Sequence, residues 1–182
     1  MNEAEAPCML YNIPGRAATP LHMDVVKQLG THRHAWAIKE AGGTLESFRA
    51  YREAAEDHWV LYSGDDPLLP TFAPEGAVGV VSVAANVWPE LTHQFTQWVC
   101  SASNEELSSI AAQSMIQTWG TLTESLFVTS NPVPAKVLLA SQGRLTSAIT
   151  RPPLSIKEDA LETLDVKELE RLAADLTNKF PH

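Results

Sequence analysis

The sequence predicts an α/β fold built on four parallel strands, followed by a region made of helices alone. Three observations predict it. Four short apolar runs bounded by Gly, Pro, Asn or Asp punctuate the first half: PCMLYNIP, HAWAIKEA, HWVLYSGDD and AVGVVSVAANV. Segments with helical spacing lie between them, so strand alternates with helix, as in right-handed βα units. From Trp88 onward the pattern is helical throughout. Four such units suit either an open doubly wound sheet or half of an eight-stranded barrel, and composition does not separate the two.

The first run leads to LHMDVVKQLG, where Met23, Val26 and Leu29 share one face. The second leads to TLESFRAYREAAEDH, a helix opening at Thr44 that aligns Leu45, Phe48, Arg52 and Ala55. After the third comes PLLPTFAPEG, a short connection whose prolines leave little room for a helix. Beyond the fourth, Ser103 and Glu106 form an S-x-x-E capping box that opens a helix. Leu107, Ile110, Ala111, Met115, Trp119, Leu122 and Leu126 then draw one apolar stripe, which Asn131-Pro132 breaks. A shorter helix is expected from Ala135 to about Ser141, ending near Gly143, and RPPLS reads as extended. Asp165 starts a last helix with Leu169, Leu172, Leu176 and Phe180 on one side. The expected division is 1–87, four βα units, and 88–182, the last barrel helix with a helical domain.

The chain of 182 residues is 45% hydrophobic and 19% charged, a globular composition long enough for a sizeable core. A net charge of −9 without any cluster of Lys and Arg argues against a nucleic-acid partner. Cys8 and Cys100 lack metal-ligand spacing and sit in apolar stretches, which predicts buried thiols in a reducing compartment. No run approaches the roughly 18 apolar residues of a membrane span. The start, MNEAEAPCML, is acidic where a secretory leader is basic. A cytoplasmic location is the expectation.

Each strand run ends in polar residues: Tyr11-Asn12, Lys39-Glu40, Ser63-Gly64-Asp65-Asp66 and Asn86. In parallel α/β folds the C-terminal strand ends form the ligand face. Lys39 has two readings: an ammonium snorkelling to water, or an amine whose partial burial favours the neutral, nucleophilic form that makes a Schiff base. Glu40 points to the opposite side of its strand and reads as a structural partner. Tyr11 is either a core aromatic or a proton carrier on the rim. Arg16 follows a Pro-Gly turn, and its guanidinium suits a carboxylate. Asp65 and Asp66 lack further ligands at metal spacing, so capping the next helix is expected of them, and no metal site is expected. His32 and His34 flank a strand start and receive no role.

YNIPGR, AIKEAGG, SGDD, VGVVSVAANVWP and SNPVPAKVLLASQG occur in an order and spacing that resemble the dihydrodipicolinate synthase family of pyruvate-dependent class I aldolases. The resemblance runs along essentially the whole chain. It implies half of a TIM (β/α)₈ barrel followed by a C-terminal helical domain, which chooses between the two architectures. It further implies that Lys39 forms an imine with pyruvate and needs no other cofactor. Tyr11 matches the tyrosine of the proton relay, and Arg16 the arginine for the carboxylate of the aldehyde substrate, aspartate semialdehyde. Gly64 and Val81 match positions lining the pyruvate pocket. Gly42 stands where threonine is usual, and Ala77 where glycine is common.

The large departure is at the front, where only MNEAEAP precedes the YNIP strand and the family carries about four βα units. That portion holds the family's threonine pair, a tyrosine lent by a neighbouring subunit, and most of a lysine-feedback site. The resemblance is thus to the C-terminal half. Two readings follow. One is a truncated Schiff-base lyase of lysine biosynthesis, condensing pyruvate with a small aldehyde. The other is a non-catalytic homolog that assembles through the open barrel edge, with itself or with a full-length relative. A start codon placed too far downstream is a third explanation of the short front.

Overall fold

Strands β1 (Cys8–Asn12), β2 (Ala35–Glu40), β3 (Val60–Ser63) and β4 (Ala77–Val80) form one sheet, all parallel, in the order β1-β2-β3-β4. The structure is a computed structural model and describes residues 1–154 and 164–180. A doubly wound sheet reverses its strand order at a switch point. Here each new strand adds on the same side of the last, the arrangement of a barrel segment. The fold is half of a (β/α)₈ barrel with helices after it.

The connections follow from local chemistry. After β1 come α1 (Pro14–Ala17) and α2 (Met23–Gly30). Helix α3 (Leu45–Ala55) opens where Thr44 Oγ1 accepts from the Ser47 amide at 3.1 Å. Its buried stripe is Phe48, Tyr51, Ala54 and Ala55, whereas Arg52 is exposed and donates to the Glu56 carbonyl. Leu45, Phe48 and Ala55 of the expected face do pack on the core; only Arg52 departs from it, and Tyr51 is buried in its stead because the aromatic ring gains more from burial than a guanidinium stem. Prolines 67, 70 and 74 break the third connection into single turns: 3₁₀ turns at Asp66–Leu68 and Ala73–Glu75 flank α4 (Leu69–Phe72).

Among the described residues, helices cover one side of the sheet and leave the other, the bare face, with apolar side chains exposed. Ile38, Leu61 and Ala77 pack with Val26, Phe48, Tyr51, Trp59 and Phe72, and the Phe48 and Phe72 rings stack at 4.5 Å. Trp59 Nε1 donates to the Val26 carbonyl at 3.0 Å, joining α2 to the approach of β3. On the opposite face, Tyr11, Val60 and Val78 are exposed. Trp36 is the additional residue where the β1–β2 register shifts; it is 43% exposed, and its ring lies 6.0 Å from that of Tyr62.

Two compact units result: Met1–Val81 with Val99–Ser101, and Ser82–Trp98 with Ala102–His182. This divides the chain by packing; the 87/88 boundary divides it by element. In the second unit are α5 (Ala84–Val87), most of α6 (Pro89–Ser101), α7 (Asn104–Leu107), α8 (Ile110–Ser125), α9 (Val133–Ser141) and α10 (Val166–Thr177). The capping box at Ser103 and Glu106 is present, but its helix ends after Leu107, and Ser109 caps α8 afresh by accepting from the Ala112 amide. The single stripe is thus two pieces: Ile110 is 92% exposed, Ala111 is exposed too, and Ala112, Trp119, Leu122 and Leu126 are buried. Phe95 stacks on Trp119 at 4.3 Å, with Phe180 edge-on at 6.4 Å. Asp165 caps α10 through the Glu168 amide. Arg151 to Leu154 form a turn rather than an extended run, with the Leu154 amide donating to the Arg151 carbonyl; Ser155, the end of that expected run, lies outside the described residues.

Among the described residues no helix is long and apolar enough to cross a membrane. Cys8 and Cys100 are free thiols, half-buried rather than buried, and burial raises the pKa of the Cys100 thiol.

Candidate active site

Register pairs Tyr11 with Lys39 and Lys39 with Tyr62, so three strands deliver their side chains to the bare face at one level. Lys39 is half-buried, and its Nζ lies 4.0 Å from the centre of the Tyr11 ring. The negative face of the phenol attracts the ammonium and fixes where the amine sits. The pair expected on the rim is therefore adjacent in space.

Behind Lys39, on the covered face, the chain buries a carboxylate. Glu40 has 0% exposure. Its Oε2 accepts from Asn12 Nδ2 at 2.7 Å, and its Oε1 accepts from the Gly42 amide at 2.8 Å and Ser47 Oγ at 2.7 Å. Asn12 is buried as well, and its Oδ1 accepts from the Leu21 amide at 3.0 Å. Any side chain at position 42 would place its Cβ 2.4 Å from Glu40 Oε1. This glycine leaves room for the carboxylate. Burial raises the Tyr51 hydroxyl above its ordinary pKa, and the Glu40 charge adds to the effect.

Gly64 follows β3 and donates its amide to the Glu40 carbonyl at 2.6 Å. A Cβ there would meet the Ala41 Cβ at 2.5 Å and the Glu40 carbonyl oxygen at 2.8 Å. Close approach of two strand ends requires glycine at this position, whatever else it does. The Val81 amide donates to the Ser63 carbonyl at 2.9 Å, just past the end of β4, and the Val81 side chain is exposed.

Asp65 is half-buried near these groups. Burial pushes its carboxyl above the ordinary range, the Lys39 ammonium pulls it back, and the neighbouring Asp66 charge adds to the rise. The capping role expected of it is not what its side chain does: it occupies the N-cap position but makes no capping bond. Its backbone instead closes a small turn with Ser63 Oγ, which donates to the Asp65 carbonyl and accepts from its amide.

Arg16 lies in α1 and is exposed. Asn86, expected at a strand end, belongs to α5 instead, because β4 ends at Val80. His32 and His34 engage one another and Asn2: the His34 amide donates to His32 Nδ1, and His32 Nε2 lies 2.6 Å from Asn2 Oδ1. Among the described residues no group of three or more His, Cys, Asp or Glu is arranged to hold a metal ion. Sequence reasoning missed the Asn12–Glu40–Ser47 network. A buried Glu directly after the rim lysine, with Ser47 in the first turn of the next helix, was its only signal.

A family model described as the dihydrodipicolinate synthetase family matches residues 1–171. A 4-hydroxy-tetrahydrodipicolinate synthase of Wolbachia pipientis subsp. Culex pipiens (strain wPip) is 38% identical over 165 residues, covering 90% of this chain and 53% of that protein. The enzyme of the same name from Francisella philomiragia is 38% identical over 161 residues, 87% of this chain and 51% of its own length. The solved structure of the 4-hydroxy-tetrahydrodipicolinate synthase of Methylacidiphilum fumariolicum SolV superposes with a TM-score of 0.76 at 31% identity, over 95% of this chain and 56% of that one. The chain spans about half the length of the relatives it matches.

Proposed function

The chain belongs to the dihydrodipicolinate synthetase family, and from that premise we propose that it carries the Schiff-base half of a lyase site that condenses pyruvate with a small aldehyde. The observation that supports this reading best is the placement of Lys39 Nζ at 4.0 Å from the Tyr11 ring, at the C-terminal ends of β1 and β2. The neutral Lys39 amine adds to the ketone carbon of pyruvate, and the carbinolamine loses water to give an imine. Proton removal from the pyruvate methyl group gives an enamine, whose carbon attacks the aldehyde. Tyr11 is suited to carry the protons these steps require. The imine itself accepts the electron pair, so the reaction asks for no separate cofactor. Arg16 is suited to a carboxylate of the aldehyde substrate, aspartate semialdehyde in this reading, and Gly64 and Val81 border the position of pyruvate.

The test is covalent trapping. Incubation with pyruvate and borohydride, followed by peptide mass mapping, is expected to place a reduced pyruvate adduct on Lys39, and Lys39→Ala to abolish it. A native chain that forms no adduct at millimolar pyruvate rules out the catalytic reading.

A second reading is favoured by the bare face itself. Tyr11, Trp36, Val60 and Val78 are exposed there, and β1 and β4 are the edges of the sheet. An apolar sheet face with free edges favours pairing with another half-barrel. A second copy of the chain supplies one, and a full-length relative would be the other partner.

A further inference from the structure

We infer that Glu40 and Asn12 together are the positioning device of the site: their hydrogen bond on the covered face of the sheet sets the Lys39 amine over the Tyr11 ring on the bare face. The inference extends the Schiff-base reading, since it names what aligns that amine.

Register makes the connection. Tyr11 is opposite Lys39, and the next residues, Asn12 and Glu40, are opposite each other. Successive strand residues point to opposite faces, so the two pairs stand back to back across the same pair of strand ends. The front pair is a cation over a ring, attractive but tolerant of sliding. The back pair is directional: one buried amide donating to one buried carboxylate at 2.7 Å. The carboxylate is itself immobilised, because Gly42 and Ser47 hold its other oxygen. The amide is immobilised too, because its oxygen receives the Leu21 amide. Three anchors, from the β2–α3 turn, the first turn of α3 and the loop before α2, thus meet at one hydrogen bond between the ends of β1 and β2. Register alone would tolerate a slip at the ends, and β1–β2 already slips once, at Trp36. The Asn12–Glu40 bond prevents a second slip at the level of the amine.

The donor and acceptor pattern yields a swap. In Glu40→Gln, the new amide oxygen must still receive Gly42 and Ser47, so its amide nitrogen faces the Asn12 amide nitrogen, donor against donor. In Asn12→Asp, two carboxylates face each other. In the double variant N12D/E40Q, the carboxylate introduced at position 12 accepts both from the amide introduced at position 40 and from the Leu21 amide. The oxygen of that introduced amide in turn accepts from Gly42 and Ser47. All four hydrogen bonds return with the same total charge.

Two readouts separate positioning from general stability. The first needs no substrate: the Lys39 ε-methylene protons, assigned by their loss in Lys39→Arg, are expected upfield in the native chain because the Nζ they adjoin lies 4.0 Å from the centre of the Tyr11 ring. That shift is expected to collapse in each single variant and to return in N12D/E40Q. The second is the rate of pyruvate trapping across pH, normalised to the folded fraction. Each single variant is expected to slow it about tenfold or more, as for a misplaced reacting group, and the swap to restore both rate and pH profile. If the native chain does not trap pyruvate, the Schiff-base reading fails, and the ring-current measurement still decides the positioning claim. A single variant that stays folded with the native upfield shift overturns the inference. So does a folded double variant that recovers thermal stability but not the shift, or a double variant that does not fold.

Discussion

Asp65 carries an electrostatic cost with a definite sign. Burial raises its carboxyl pKa against the pull of Lys39, so the native state binds this proton more tightly than the unfolded chain does. The stability contributed by the protonated form is complete below the ordinary carboxylate range. It is lost as pH rises from there through the raised value. At neutral pH the ionised group therefore works against folding. Asp65→Asn is expected to be more stable than the native chain at about pH 7 and equal to it at about pH 3, by thermal melts at both values. A stability gain that persists undiminished at low pH would assign the effect to packing instead. For Tyr51 the raised pKa comes from burial first and from the Glu40 charge second; its hydroxyl donates to the Leu21 carbonyl at 2.6 Å.

Elements whose ends are written in local chemistry were legible from sequence, and those set by distant partners were not. Thr44 and Asp165 open their helices as their side chains dictate. Ser109 opens one as well, but it follows the Ser103 box so closely that the two helices read as one stripe, and the fresh cap with the exposure of Ile110 and Ala111 reveals the break. Of the expected α3 face only Arg52 fails to pack, because Tyr51 and Arg52 both fit the three- and four-residue steps between Phe48 and Ala55 and spacing does not choose between them. The meeting of Tyr11 with Lys39 depends on a register shift at Trp36, which no local pattern encodes. Gly64 was singled out by resemblance, and the structure adds a reason of its own, since a Cβ there would collide with Ala41 and the Glu40 carbonyl. Gly64→Ala is expected to force the ends of β2 and β3 apart and cost about 1–3 kcal/mol in a denaturant titration. A neutral Gly64→Ala would mean that these strand ends separate freely.

At the scale of the whole molecule, the sheet order is the decisive fact. Four parallel strands in sequence, helices packed on one face, and apolar and aromatic side chains exposed on the other leave a surface that water solvates poorly. Pairing with a second half-barrel would cover that face and both edge strands at once. Light scattering on a size-fractionated sample is expected to give twice the mass of one chain, and a well-folded monomer at micromolar concentration would remove the pairing reading. Of the five tryptophans, Trp59, Trp88 and Trp119 are buried and Trp98 is half-buried, whereas Trp36 stands on the uncovered side of the sheet. The molecule therefore contains its own optical probe: collisional quenchers such as iodide will dim Trp36 first, and the indole emission will move to the blue and resist quenching once anything settles over that side.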